Sequence, residues 1–438
     1  MFPLSLSGEM NMDYIKETNH VPILGQYDVI IAGGGPAGIG AALAAARHGA
    51  KTLIIERFGC FGGMWTAGLV NPLFDYENKG GIVQEIVDHI NALHMNSHSG
   101  SMYTFDMETM KLLLDRLIVG SGIDTLFHTF IAKPIMEEST VTGLIVENKS
   151  GRGAYLGTRV VDCTGDGDVA AAAGAPFSIG RPEDHACQPM TLMFKIGNTD
   201  YVQRAHYPLG NGNELFDMMR SAVEDAGDTY DFNFDRPWFL HLPGNHTGVM
   251  QMTHMRGFDP LDAGSLSRAE MEGRERVAEA MRFFKKYLPQ FEHAQLEQTA
   301  QMIGVRESRR IQGEYEITLQ DMLEGRRFAD GFATCRFNVD IHQPDGRGQE
   351  ETKKYAIRPY QIPYRSLIPL NAENLLVAGR CISGSFEAHA SYRVTGDCVA
   401  MGQAAGTACA LSLDQNCVPR SLDGALVAQA MEKDGAKL

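Results

Sequence analysis

An apolar run ending in three consecutive glycines and followed by a helix of small residues leaves few folds open to this chain. The stretch is "DVIIAGGGPAGIGAALAAARHGAKTLIIER", Asp28 to Arg57. Its pattern predicts a buried strand from Gln26 to Ala32, a helix from Gly38 to His48 and a second strand in "GAKTLIIER", the opening of a doubly wound β-α-β unit. Gly33 permits the sharp turn, Gly35 lets a diphosphate approach the main chain, and Gly38 allows close contact between helix and strand. Pro36 and Ala37 lead into the helix, whose N-terminal N–H groups and dipole favour phosphate. Glu56, at the end of the second strand and followed by Arg57, is placed to accept the ribose hydroxyls of an adenosine and would repel a 2′-phosphate. The turn alone leaves the choice between NAD and FAD open.

Segments further along the chain bear on that choice. The small residues Gly38, Ala42, Ala46 and Gly49 resemble the long fingerprint of FAD enzymes of the glutathione-reductase type. "ERFGCFGGMWTAGL" adds Gly62 and Gly63, a loop whose main-chain N–H groups suit a diphosphate, with Met64 to Thr66 running towards the ring. "LGTRVVDCTGDGDVAAAAGAP" predicts a strand from Arg159 to Cys163 that ends at Thr164, Gly165 and Asp166. Between these two, residues 122–152 alternate apolar and polar residues over three expected strands of an antiparallel meander. Near the C-terminus, "NLLVAGRCISGSFEAHASYRVTGDCVAMGQAAGTACALSL" predicts a buried strand, Asn374 to Ala378, ending at Gly379 and Arg380. A helix follows from Thr395 and Gly396. Its positive end would favour an anionic reduced ring by about 0.3–2 kcal/mol, an effect of tens of millivolts at about 30 mV per 1.4 kcal/mol.

Taken in order, "GGM.T.GL", "TGDGD", "GVRESRRIQGEY", "YRSLIP", "NLLVAGRCIS" and "MGQAAGTA" resemble the bacterial FAD-dependent oxidoreductases called FAD_oxidored, over about residues 25 to 412. The resemblance implies non-covalent FAD, a two-domain fold, and contact of the adenine region with the backbone of Ile131. The expected fold class is α/β, with a discontinuous Rossmann-like FAD-binding domain (25–75, 105–183 and 365–415) and a second α+β substrate or cap domain (184–364). A leader (1–24), a helical insertion (76–104) and a C-terminal tail (416–438) complete the division.

Composition narrows the partners. A chain of 438 residues suggests about two to three structural units. The formal charge of −15 opposes nucleic acid and anionic membrane surfaces. No apolar run is long enough to span a bilayer, and the N-terminus lacks the pattern of a signal peptide. Eight cysteines without a C-x-x-C pair suggest neither a zinc ribbon nor an iron–sulfur site and fit a reducing cytoplasm. A small-molecule substrate is therefore expected, with electron acceptor and oligomeric state left open. Asp166 and Asp168 lack the third ligand a metal would need, so no metal site is expected.

Substrate chemistry falls to the cleft between the two domains. His389 is the candidate base, because imidazole titrates near neutrality, and Arg393 the candidate oxyanion partner. Arg306, Arg309 and Arg310 with Glu307 suit either an anionic substrate or a structural salt-bridge network. The leading reading is a dehydrogenase or oxidase moving a hydride between a small polar substrate and flavin N5. A flavin monooxygenase and an electron-transfer flavoprotein are the alternatives.

Overall fold

The computed structural model describes residues 15–99, 102–201, 214–228, 237–244, 246–345 and 355–438. Residues 1–14 of the expected leader and parts of the expected cap lie outside them. The expected unit is present: β1 (Ile23–Ala32), α1 (Pro36–Arg47) and β2 (Thr52–Ile55), with β1 and β2 parallel and Ile31 opposite Ile54. The helix starts two residues before the expected Gly38, because Pro36 carries a fixed helical φ and lacks the N–H that a first helical residue leaves unpaired.

An excursion follows, made of α2 (Gly81–Ala92), the hairpin β3 (Asn96–Ser99) and β4 (Met102–Phe105), and α3 (Met107–Gly120). Asp106 caps α3 by accepting from the Thr109 N–H at 2.7 Å. The chain then re-enters the main sheet through β5 (Asp124–Leu126), parallel to β2, and continues as β6 (Phe130–Glu137), β7 (Thr140–Asn148) and β8 (Gly151–Asp162). The antiparallel meander is thus β6 to β8, and the 124–126 segment belongs instead to the parallel side. β8 is far longer than the expected Arg159–Cys163. Residues 151–156 pair with β7, while 154–162 run parallel to β1.

Beyond α4 (Asp168–Ala172) and β9 (Phe177–Ile179) the chain forms β10 (Met190–Thr191), β11 (Phe194–Gly197), α5 (Glu214–Asp225), β12 (Trp238–His241), β13 (Gly248–Gln251), β14 (His254–Met255), α6 (Ala263–Tyr287) and β15 (Gln295–Thr299). Strands β12, β13, β11 and β15 make a four-stranded antiparallel sheet. The long helix α6 is capped by Asp262 and stops before Pro289, as its amphipathic pattern predicts.

The return passes through β16 (Arg309–Ile311), paired to β9, then α7 (Leu319–Glu324), β17 (Gly331–Cys335) and its partner β18 (Tyr360–Pro363). β19 (Leu375–Val377) closes on residues 160–162 of β8, so the main sheet of this mixed α/β fold draws strands from both ends of the chain. The last elements are α8 (Phe386–Tyr392), α9 (Thr395–Asp414) and α10 (Gly424–Lys433). Helix α9 packs against α1 closely enough that a Cβ on Gly402 would lie 1.9 Å from the Ala37 carbonyl oxygen. Among the described residues no helix is long and apolar enough to cross a membrane.

Candidate active site

The three glycines of the first turn do three different things. Gly33 has φ of 102°, and a Cβ there would stand 2.6 Å from the Cys163 carbonyl oxygen. A Cβ on Gly38 would meet the Gly33 carbonyl oxygen. At Gly35, the N-cap of α1, a Cβ would meet nothing within 4 Å. The turn therefore leaves its open space where the sequence places a diphosphate, at a helix start with no acidic residue in its first turn.

Glu56 is nearly buried, and its two carboxylate oxygens accept from the Gly34 N–H at 2.7 Å and the Phe58 N–H at 2.9 Å. Burial raises its pKa against the pull of these bonds. The acid read from the sequence as a ribose acceptor is thus also a clamp on the turn. Arg57 beside it is exposed, with its guanidinium over the Phe58 ring. The Thr129 N–H donates to the Glu56 carbonyl, which brings the start of β6, and Ile131 with it, to the end of β2.

The second glycine pair folds onto the first. The Gly62 N–H donates to the Gly34 carbonyl, and a Cβ on Gly63 would approach the Gly35 Cα to 3.1 Å. Met64 then extends until its methyl group packs against Gly304. From the other side, Asp162 at the end of β8 is fully buried and accepts from the Thr164 hydroxyl and the Ala170 N–H, which shapes the "TGDGD" loop. Burial pushes its carboxyl up to about 6. Gly165 and Gly379 both take positive φ, and Arg380 reaches from the end of β19 to Asp166 at 2.7 Å. Burial alone would raise the Asp166 carboxyl, but Arg380 and the Ser308 hydroxyl hold it below its usual range. Asp168 is bonded to Arg309 at 2.8 Å. Both carboxylates are thus matched to arginines.

Arg309 and Arg310 serve as ties. Arg309 bonds the Asp166 carbonyl, and Arg310 is buried against Glu307 and the Gly180 and Gly384 carbonyls. Arg306 faces elsewhere. Its guanidinium donates to the Pro189 carbonyl, the Thr191 hydroxyl and His254 Nε2 at 3.0 Å. That donation leaves His254 to carry its proton on Nδ1. His342 stacks on His254 with ring centroids 5.0 Å apart and stands 3.5 Å from Asp340. Arg393 donates to the Arg306 and Asp340 carbonyls at 3.2 and 2.6 Å. It lies two residues before the start of α9, where the Gly396 N–H meets the Phe74 carbonyl.

His389 does not fit the part of base. It is fully buried, its ring lies against Tyr392, and burial with Arg393, Arg310 and Arg380 nearby drives its pKa well below the ordinary value. A base must reach an open site, and this ring reaches none. His254, His342 and Asp340 were not singled out in the sequence, although the D-x-H spacing of Asp340 and His342 was there to be read. Cys60 is a free thiol raised by burial, so its nucleophilic form is suppressed.

Burial lowers the His342 pKa from 6.5 to about 4, with Arg306 adding to the shift. A depressed histidine takes up its proton more readily in the unfolded chain, so its contribution to stability is intact above about pH 6.5 and is lost as pH falls towards 4. His342→Gln removes that dependence. Its stability relative to the parent therefore improves on acidification from pH 7 to 4.5, by up to about 2–3 kcal/mol. Denaturant melts of both proteins at the two pH values measure the difference, and a constant difference would rule the assignment out.

Comparison with known proteins gives the family. A model described as "FAD dependent oxidoreductase" matches residues 28–431. The chain is 29% identical over 150 residues to a thiamine thiazole synthase of Methanococcus vannielii, a match covering 33% of this chain and 51% of that protein. It is 30% identical over 156 residues to the tRNA uridine 5-carboxymethylaminomethyl modification enzyme MnmG of Wolinella succinogenes, covering 32% of this chain and 24% of that one. The match thus spans about half the length of the first and a quarter of the second. Among solved structures, the flavin-dependent brominase Bmp2 aligns with TM-score 0.49 and 12% identity over 93% of this chain and 83% of its own. A geranylgeranyl bacteriochlorophyll reductase-like protein of Thermoplasma acidophilum aligns with TM-score 0.46 and 15% identity, over 93% and 82%. The open cradle at Gly35 and the acid-free start of α1 fit the diphosphate of such a cofactor. The chain belongs to the FAD-dependent oxidoreductase family and is an enzyme whose cofactor is FAD.

Proposed function

We propose that this enzyme moves a hydride between a small polar substrate and flavin N5, at a site formed where the Met64 loop, the Arg306 segment and the start of α9 meet. One observation carries the reading: Arg393, next to the start of α9, bonds the Arg306 carbonyl, while Met64 reaches Gly304 two residues before Arg306. Cofactor loop, polar cluster and helix terminus thereby converge. Bound FAD supplies a two-electron acceptor or donor.

The residues of the chain do the rest. Gly33, Gly35, Pro36, Ala37 and Gly38 with Gly62 and Gly63 hold the diphosphate, Glu56 and Ile131 flank the adenosine, and Thr164 to Asp166 with Gly379 and Arg380 hold the ribityl side. Arg306, fixed by Pro189, Thr191 and His254, orients a substrate oxygen. Arg393 stabilises negative charge that builds on that oxygen. The overall charge and the absence of a membrane-spanning helix among the described residues support a cytoplasmic enzyme that uses neither nucleic acid nor a bilayer.

Arg306→Met keeps the flavin and slows its reduction by substrate on the order of 100-fold or more, the scale of losing one charge-stabilising group. Stopped-flow bleaching under anaerobic conditions, with hydroxy acids, amino acids, sugars and polyols as candidate reductants, measures it. An unchanged rate with the substrate so found would remove Arg306 from the site. Rapid bleaching by NADH or NADPH alone would favour the monooxygenase reading.

A further inference from the structure

One charged cluster lies apart from the residues assigned above. Lys79 and Asp397 are both fully buried, with Nζ 2.6 Å from the Asp397 carboxylate. The same ammonium bonds Asp75 at 3.0 Å and the Thr334 carbonyl. Asp397 also accepts from the Cys335 thiol at 3.2 Å, and Cys335 reaches Ser391, which is bonded by the Tyr360 hydroxyl. Asp75 accepts in addition from the Arg336 N–H at 2.7 Å. Donor atoms of Asp75, Cys335 and Asp397 lie within 4.8 Å of one another, the span a metal would need, but the Lys79 ammonium is bonded to both carboxylates and supplies the positive charge there.

Such a pair is poor value as a stabiliser. Desolvating two charges offsets most of their attraction, so apolar residues of similar volume often serve a core as well. Its place in the fold suggests another use. Asp397 is the third residue of α9, within the first turn of the helix start proposed to face the flavin. An acid in the first turn ordinarily cancels part of the positive helix end. Here that acid is turned onto a buried lysine. Burial pushes the Asp397 carboxyl up to about 8, so its negative charge is full only above that pH, while Asp397 and Asp75 outweigh the burial that would lower the Lys79 ammonium and keep it a cation.

We propose that Lys79 is a positioning residue that sets the potential of the flavin, by withholding the negative charge of Asp397 from the positive end of α9. This rests on the placement of the flavin at that end. The sign of the effect follows from charge, at a pH above about 8 where Asp397 is ionised. Lys79→Met leaves the carboxylates uncompensated and makes the flavin harder to reduce. Asp397→Asn leaves the ammonium in excess and makes it easier. The double variant, Lys79→Met with Asp397→Asn, returns towards the parent.

The test is equilibration of each purified, FAD-loaded protein with a reference dye under anaerobic conditions. The expected change is tenfold or more in the reduced-to-oxidised ratio of each single variant, in opposite directions, which is about 30 mV for a two-electron couple. Shifts of the same sign, or none, overturn the proposal. Lys79→Arg, which keeps the charge, should restore the parent value, and it and the double variant keep the test open if a single variant fails to fold. Variants that fold, retain full FAD and show no shift sink this inference alone. FAD binding left intact in Gly35→Asp protein would instead sink the cofactor placement beneath it.

Discussion

Gly35→Asp yields a folded protein without yellow flavin. The expectation has two halves with separate causes. A Cβ at this position meets no atom within 4 Å and φ is −73°, so the backbone accepts a side chain without strain. The turn therefore survives, and the thermal midpoint of the cofactor-free protein should stay near that of the parent apoprotein. The added carboxylate, however, points into the only space the turn leaves open and sets a negative charge against a diphosphate at the helix start. Affinity should fall at least 100-fold, which is about 2.7 kcal/mol. Visible absorption of the purified protein and a titration with FAD measure it. Full retention of FAD would refute the phosphate assignment. Gly38→Asp makes the contrast, since its Cβ would strike the Gly33 carbonyl and the fold itself should suffer.

The parts of this site that were legible in the sequence are those written as backbone constraints. A glycine needed for a positive φ or a close approach leaves a mark in the chain, and Gly33, Gly38, Gly62, Gly165 and Gly379 all left one. Strand ends marked by polar residues after apolar runs were equally readable, as at Glu56 after β2. What escaped were contacts between side chains far apart in the chain. His254 and His342 come together from β14 and the loop after β17, and no local pattern announces their stacking. Lys79 and Asp397 are separated by most of the chain, so no local pattern announces their pairing. His389 failed for the same reason in reverse. Its neighbours in sequence, on a short helix before α9, placed it near the flavin, but the phase of that helix turns the ring inward against Tyr392. Arg306, Arg309 and Arg310 share one short segment, yet only the first faces the polar cluster.

The same logic gives the largest loss of stability, at a glycine inside a helix. Gly402 lies in the middle of α9, where the sequence shows only a helical glycine that costs about 1 kcal/mol relative to alanine. On propensity alone Gly402→Ala should stabilise the protein. The packing reverses the sign. A Cβ there would stand 1.9 Å from the Ala37 carbonyl oxygen and 2.9 Å from the Ala41 nitrogen, and backbone cannot turn aside as a side chain can. Gly406 has the same relation to Ala41, and Gly40 on α1 to Val399, so the two helices touch along a seam of glycine. Even one methyl group must push α9 away from α1, opening a gap in a core with little slack. Gly402→Ala should therefore cost about 3 kcal/mol or more and Gly402→Val should leave little folded protein. Soluble yield and denaturant midpoints decide it, and a Gly402→Ala protein more stable than its parent would contradict the packing. The displacement also reaches the cofactor. Ala37 lies one residue beyond the start of α1, so any alanine variant that does fold should bind FAD more weakly.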